Sequence, residues 1–230
     1  MLYVYALTRS TIDAPPDEVG LDGRPLDVVR YEHVAAVISA HDAGARPRPT
    51  AQNVLRHERV VESTMSRGPV LPARFGTMYA TRDKLEEALR RGHDALRLGL
   101  DRVEGCVELG VRVLSSDKPA EPAPVHSGRE YMLAKLAGER ARAAARRRAE
   151  EAVAPLADLA AGVVVRDPRP SAPALLTVAY LVVHDRVDTF KQAVQRLAPA
   201  HPAIRLLCTG PWPPYHFVPV LDAPEADRHA

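Results

Sequence analysis

CVELGVRVL, from Cys106 to Leu114, places Val107, Leu109, Val111 and Val113 on one side and Glu108, Gly110 and Arg112 on the other. A period of two residues is that of a half-buried β-strand. Downstream, a Pro-rich loop, SDKPAEPAPVHS (116–127), leads into a helical stretch from Gly128 to Ala154. Pro155 breaks that helix, because proline has no amide hydrogen and clashes with the preceding turn; a short helix continues to Ala161. Val163 to Arg166 reads as a strand, followed by a loop holding Pro168, Pro170 and Pro173. Ala174 to His184 is a second apolar run, Val187, Phe190, Val194 and Leu197 recur at helical spacing, and Ala203 to Cys208 is a last strand. The order is β-α-β-β-α-β, the split-βαβ or ferredoxin-like arrangement, in which both crossover helices pack on one face of an antiparallel sheet.

Two features set this half apart from a plain version of that fold. The helix over 128–154 would be about 40 Å long at 1.5 Å per residue, and its middle, ERARAAARRRAEE (139–151), offers only alanine as apolar material. It should therefore project beyond its sheet. The strand ALLTVAYLVV (174–183) is apolar at both alternating sets of positions, which predicts cover on both faces.

Upstream the pattern is α+β without a derivable strand order. Leu2 to Leu7 reads as a strand, Asp13 to Asp27 as a Pro/Gly/Asp-rich loop, and Val28–Tyr31 and Val34–Ser39 as strands. Thr50 is placed to cap a helix running to about Ser66, with Val54, Val61 and Met65 on its inner side. After VLPARFGTMYA (70–80), Thr81 or Asp83 opens a second helix lined by Leu85, Ala88, Leu89, Leu96 and Val103. The prediction is two domains: an N-terminal α+β domain over 1–104, and over 105–230 a modified ferredoxin-like domain with an extended helix. A length of 230 residues suits two cores better than one.

Composition excludes several classes. With 46 % hydrophobic and 26 % charged residues and a net charge of +2, the chain is neither disordered nor a strong attractor for nucleic acid or anionic lipid. Two cysteines, Cys106 and Cys208, both in apolar runs, make no disulfide framework and fit a reduced cytoplasmic protein. MLYVYALT lacks the features of a secretory signal, and no run approaches the roughly 20 apolar residues of a membrane span, so no membrane role is expected.

Signatures of chemistry are missing. The sequence holds no GxGxxG, no Walker-type phosphate loop, no HExxH, no GxSxG and no CxxC. Ser115 to Lys118 forms an SxxK, but in the Pro-rich loop rather than on the helix that acyl transfer needs. No histidine pairs with another, or with cysteine, at i, i+4, so no metal site is expected. His33 and His41 read as strand-end residues, and His57 beside Glu58 as part of a solvated charge cluster. Arginines 140, 142, 146, 147 and 148 raise nucleic-acid binding. However, Arg146 with Glu150 and Arg147 with Glu151 stand at i, i+4, which favours a salt-bridged surface. No RNA-stacking aromatics occupy the first strand of the second half, and only Tyr180 lies on its third. No catalytic residue, no cofactor and no nucleic-acid partner is assigned.

Three stretches resemble a known family. VLPARFGT (70–77), SGREYMLAK (127–135) and LCTGPWPPYHFV (207–218) are similar to signature segments of the GvpF/GvpL gas vesicle proteins, and YVYALT (3–8) to that family's opening strand. The GPWPPY hexapeptide is the most specific; Ala73 and Met78 depart conservatively from the motifs. The resemblance implies a cytoplasmic, gas-vesicle-associated accessory protein for assembling these gas-filled, protein-shelled compartments. It implies no reaction and no cofactor, two α+β domains with the second ferredoxin-like, and contacts with the small hydrophobic shell protein GvpA and with other accessory proteins. Arg74 is then either paired with a carboxylate in the interior, the favoured expectation, or presented to a partner. Pro211, Pro213 and Pro214 stiffen the segment after the last strand and hold Trp212, Tyr215 and Phe217 against the other domain or a partner. The candidate partner-binding residues are Arg74, Phe75, Trp212 and Tyr215. A second reading is a small-molecule-binding or enzymatic ferredoxin-like protein with its site at the domain junction.

Overall fold

The structure is a computed structural model that describes residues 1–42, 46–116, 127–166 and 174–219. Most of the Pro-rich loop, including Lys118 of the SxxK, and the loop with Pro168, Pro170 and Pro173 lie outside the described residues. Helix and sheet are mixed throughout, and the chain forms two compact units: residues 1–107 with the chain from Trp212 onward, and 108–211. The 207–218 stretch thus divides at Pro211/Trp212, whereas the sequence keeps everything after 105 together.

In the first unit the strands are β1 (Leu2–Arg9), β2 (Leu26–Tyr31), β3 (Val34–Ala40), β4 (Val70–Pro72) and β5 (Met78–Tyr79), with helices α1 (Ala51–Met65) and α2 (Arg82–Val103). The sheet order is β2-β3-β1-β4, and β5 also pairs with β1. Every pairing is antiparallel. β1 is central and therefore buried from Tyr3 to Leu7 on both faces. β2 and β3 are joined by the two-residue turn Glu32–His33, with Tyr31 opposite Val34. Both helices start where a threonine side chain accepts an otherwise orphaned amide: Thr50 from the Asn53 N–H at 3.2 Å and Thr81 from the Lys84 N–H at 3.3 Å.

α1 is phased differently from the expectation. Its buried stripe is His57, Val60, Val61 and Thr64, at i, i+3, i+4 and i+7, while Val54 and Met65 are only half-buried. His57 is 1 % exposed, so the solvated charge cluster expected there is corrected. Leu85, Leu89, Leu96 and Val103 of α2 are buried as expected, and Gly99 and Leu100 join them.

The second unit contains β6 (Cys106–Ser115) apart from its first two residues, α3 (Gly128–Val153), β7 (Gly162–Arg166), β8 (Ala174–Val183), α4 (Val187–Ala200) and β9 (Ile204–Trp212) apart from its last. Its sheet order is β7-β8-β6-β9. The core joins Leu109, Val111 and Val113 of β6 to Leu176, Val178, Tyr180 and Val182 of β8 and to Phe190 and Val194 of α4. The Tyr180 and Phe190 rings lie 5.0 Å apart, and the Tyr180 hydroxyl donates to the Val153 carbonyl at 3.3 Å. Burial raises that phenol to about 12. β8 is buried at every residue from Val178 to Val182. Glu108, expected on the polar side of β6, is 5 % exposed, while Arg112 is exposed.

α3 meets its core only through Ala149, Ala152 and Val153; every residue from 127 to 143 is exposed. Pro155 opens a 3₁₀ turn (Ala154–Leu159) that buries Leu156. Arg146 Nε binds Glu150 Oε1 at 2.9 Å, one of the two ion pairs read from spacing. The other, Arg147 with Glu151, is not formed within 4.0 Å.

Candidate functional site

The VLPARFGT motif is fastened to β1 and α1 through a histidine. β4 pairs with the C-terminal half of β1 and β5 with its N-terminal half along the same edge, the other edge being taken by β3, so the chain between them loops out beside Val4 and Tyr5. The Ala73 N–H donates to the Tyr5 carbonyl and the Val4 N–H to the Thr77 carbonyl, each at 2.9 Å. Within this loop, the Thr77 amide and hydroxyl both return to the Arg74 carbonyl, and Gly76 takes φ +88°, which favours glycine.

Beneath this loop lies His57. Its Nε2–H donates to the Ala73 carbonyl at 3.1 Å, since a carbonyl has no proton to give, so Nδ1 is the lone pair that accepts the Tyr3 hydroxyl at 2.9 Å. The Tyr3 oxygen in turn accepts the Gly76 N–H at 3.2 Å. All polar atoms of the imidazole are thereby satisfied in its neutral form. Burial, partly opposed by the Ala73 hydrogen bond, lowers the pKa to about 4. Burial likewise raises the Tyr3 and Tyr5 phenols well above their ordinary value. Neutral, paired and enclosed, His57 is built to hold the loop, with no position left for proton transfer to a substrate.

The four candidate partner-binding residues all belong to the first unit. Phe75 is half-buried, edge-on to Tyr3 at 6.0 Å and to His57 at 5.8 Å. Tyr215 is half-buried and donates to Glu58 Oε1 at 3.0 Å; its pKa moves far up through burial and the adjacent carboxylate. Phe75 and Tyr215 therefore converge on consecutive residues of α1, His57 and Glu58. Arg74 is exposed and, among the described residues, has no carboxylate within 4.0 Å, so the interior ion pair favoured for it is corrected. Trp212 is 46 % exposed. It closes β9, so the GPW residues extend the strand rather than follow it. Pro213 and Pro214 then lead into a 3₁₀ turn (Tyr215–Phe217) that buries Phe217, with the Arg102 guanidinium 5.5 Å from its ring centre.

Sequence reasoning missed Tyr3, His57 and Glu58 as the supports of both motifs. A correct phase for the α1 stripe would have found His57. It also missed a convergence of metal-ligand types: Glu32, His33 and His93 draw together although far apart in the chain. Elsewhere a depression of about 310 Å³ in the second unit is lined by Ser115, Arg148, Glu151, Leu175, His201 and Ile204. No helix among the described residues is long and apolar enough to cross a membrane.

The crystal structure of gas vesicle protein GvpF from Anabaena sp. PCC7120 superposes with a TM-score of 0.79 over 96 % of this chain and 97 % of that one, at 20 % identity. GvpF from Microcystis aeruginosa gives 0.72 over 95 % and 99 %, at 19 % identity. These likenesses establish the fold. In sequence, the chain is 32 % identical to gas vesicle protein F of Streptomyces sp. (strain CB03234), covering 94 % of this chain and 98 % of that protein. It is 30 % identical to gas vesicle protein L of the same strain, covering 96 % and 93 %. The family model described as gas vesicle synthesis protein GvpL/GvpF matches residues 1–219. The resemblance first carried by three short motifs thus extends over nearly the whole chain, which belongs to the GvpL/GvpF family of gas vesicle synthesis proteins.

Proposed function

We propose that this chain is a non-catalytic, cytoplasmic accessory protein of gas vesicle assembly that binds the hydrophobic shell protein GvpA and other accessory gas vesicle proteins. The observation that carries the proposal is the exposed apolar cluster on the N-terminal half of α3. Tyr131, Met132, Leu133 and Leu136 are 57 %, 56 %, 57 % and 45 % exposed. Large apolar side chains clustered on one helix and exposed among the described residues favour association with an apolar partner. A small hydrophobic shell subunit is such a partner.

We assign a second contact to Arg74 and Trp212, whose side chains reach solvent, with Phe75 and Tyr215 as the half-buried base that fixes their loops. We also infer that the chain divides near residue 105 and that the second unit is a modified ferredoxin-like domain. Numbering its strands in chain order gives 2-3-1-4 across the sheet, and two helices separate the strands as split βαβ connectivity requires. The role in assembly is tested by expressing a gas vesicle gene cluster with and without this gene and counting buoyant vesicles. Loss of vesicles is expected without it; an undiminished count would refute the requirement.

A further inference from the structure

We propose that Glu32, His33 and His93 form a binding site for a divalent transition-metal ion of the zinc type. This is independent of the assembly role. The ligand-type atoms of the three side chains all lie within 4.8 Å of one another. Glu32 and His33 are the whole of the β2–β3 turn, and His93 comes from the middle of α2.

The hydrogen bonding around His93 prepares it as a ligand. Its Nδ1 lies 3.1 Å from Asp94 Oδ1, and a carboxylate can only accept, so Nδ1 carries the proton and Nε2 the lone pair. A carboxylate on the far nitrogen of an imidazole is the arrangement that fixes the tautomer of a metal-bound histidine and raises its basicity. Nε2 itself is closed off from solvent and has no hydrogen-bond partner. It faces Glu32 Oε2 at 3.4 Å. In the neutral ring two acceptors therefore face each other, and the arrangement is resolved either by a second proton on the imidazole or by a metal cation between them.

The spacing suits the ion. Zinc bonds of about 2.0–2.2 Å to nitrogen and oxygen, at the tetrahedral angle, hold neighbouring ligand atoms about 3.4 Å apart; His93 Nε2 and Glu32 Oε2 stand at that separation, and all three ligand atoms lie within 4.8 Å of one another. Two imidazoles on such an ion have ring centres about 5 Å apart by the same geometry; those of His33 and His93 are 5.7 Å apart, so a small rotation of the exposed His33 suffices. Tyr31 packs edge-on against His93 at 5.8 Å and holds its plane. The turn also carries strain in the right place. Glu32 takes φ +47°, a left-handed conformation that is unfavourable for a non-glycine residue. Glycine or asparagine would serve a bare turn better, whereas glutamate supplies the carboxylate. Two imidazoles and one carboxylate select zinc-like ions over magnesium or calcium, which prefer all-oxygen sets, and three protein ligands leave a fourth position for water.

The test is calorimetric titration of the chelator-treated full chain with ZnCl2, with Co2+ absorption as a geometric readout. The expected result is one ion per chain and a tetrahedral Co2+ band in the visible. Both should be lost in His93→Gln and His33→Ala, and affinity should fall about 10–100-fold in Asp94→Asn, with unchanged circular dichroism showing that the variants fold. No binding by the wild-type chain would overturn the proposal and leave a plain imidazolium–carboxylate pair. Binding that survives both histidine substitutions would overturn it equally.

Discussion

Replacing His57 by glutamine should flatten the acid dependence of stability. Glutamine preserves an acceptor for the Tyr3 hydroxyl and a donor for the Ala73 carbonyl, so it removes the titration more than the hydrogen bonds. In the folded chain burial holds His57 near 4, against an ordinary value of 6.5. The folded pKa is the lower one, so as pH falls the unfolded chain takes up the proton first and gains stability relative to the fold. The contribution of the neutral imidazole is therefore fully present above about 6.5 and lost as pH falls to about 4. A gap of this size, at 1.36 kcal/mol per unit, amounts to about 3 kcal/mol between pH 7 and pH 4. Urea unfolding followed by circular dichroism over that range measures it: the wild type should lose about 3 kcal/mol more than His57→Gln. Every other ionisable group is common to the two proteins and cancels. Parallel pH profiles would refute the reasoning.

Gly20→Ala should destabilise the first unit by about 1–3 kcal/mol, because a Cβ there would fall 2.8 Å from the Ser39 Cβ and against the Tyr5 hydroxyl; thermal melting checks it. Tyr215→Phe should cost about 1–2 kcal/mol by removing a charge-assisted hydrogen bond. It should also move the Glu58 carboxyl, already raised by burial, further up, because the Tyr215 hydrogen bond opposes that shift; carboxyl chemical shifts against pH would read this directly.

Regular elements were legible because they obey a period or a cap. β6 alternates, Thr50 and Thr81 cap, and Gly128 and Pro155 bracket α3 within a residue or two of its observed ends. β4 and β5 were not, since strands of three and two residues have no period to detect and exist through their pairing with β1. The same holds for the sites. Phe75 and Tyr215 stood out as motif residues, but their shared anchoring on α1 depends on which side of that helix faces β1, and a histidine heading the buried stripe disguised the phase. Arg74 looked interior because its neighbours are apolar, yet the tight turn closed by Thr77 leaves its side chain outside. Glu32, His33 and His93 meet only when α2 packs near the β2–β3 turn, which no local spacing encodes.

The proposed binding of GvpA rests on the exposed apolar half of α3, and the most direct measurement is capture of GvpA by the tagged full chain from cells making gas vesicles. It compares the wild type with a variant carrying Met132→Glu, Leu133→Glu and Leu136→Glu. Losing about 1 kcal/mol of apolar burial at each of three half-exposed positions predicts at least a tenfold drop in captured GvpA, with helix content and melting temperature unchanged. Equal capture by the two proteins, or no capture by the wild type, would contradict it.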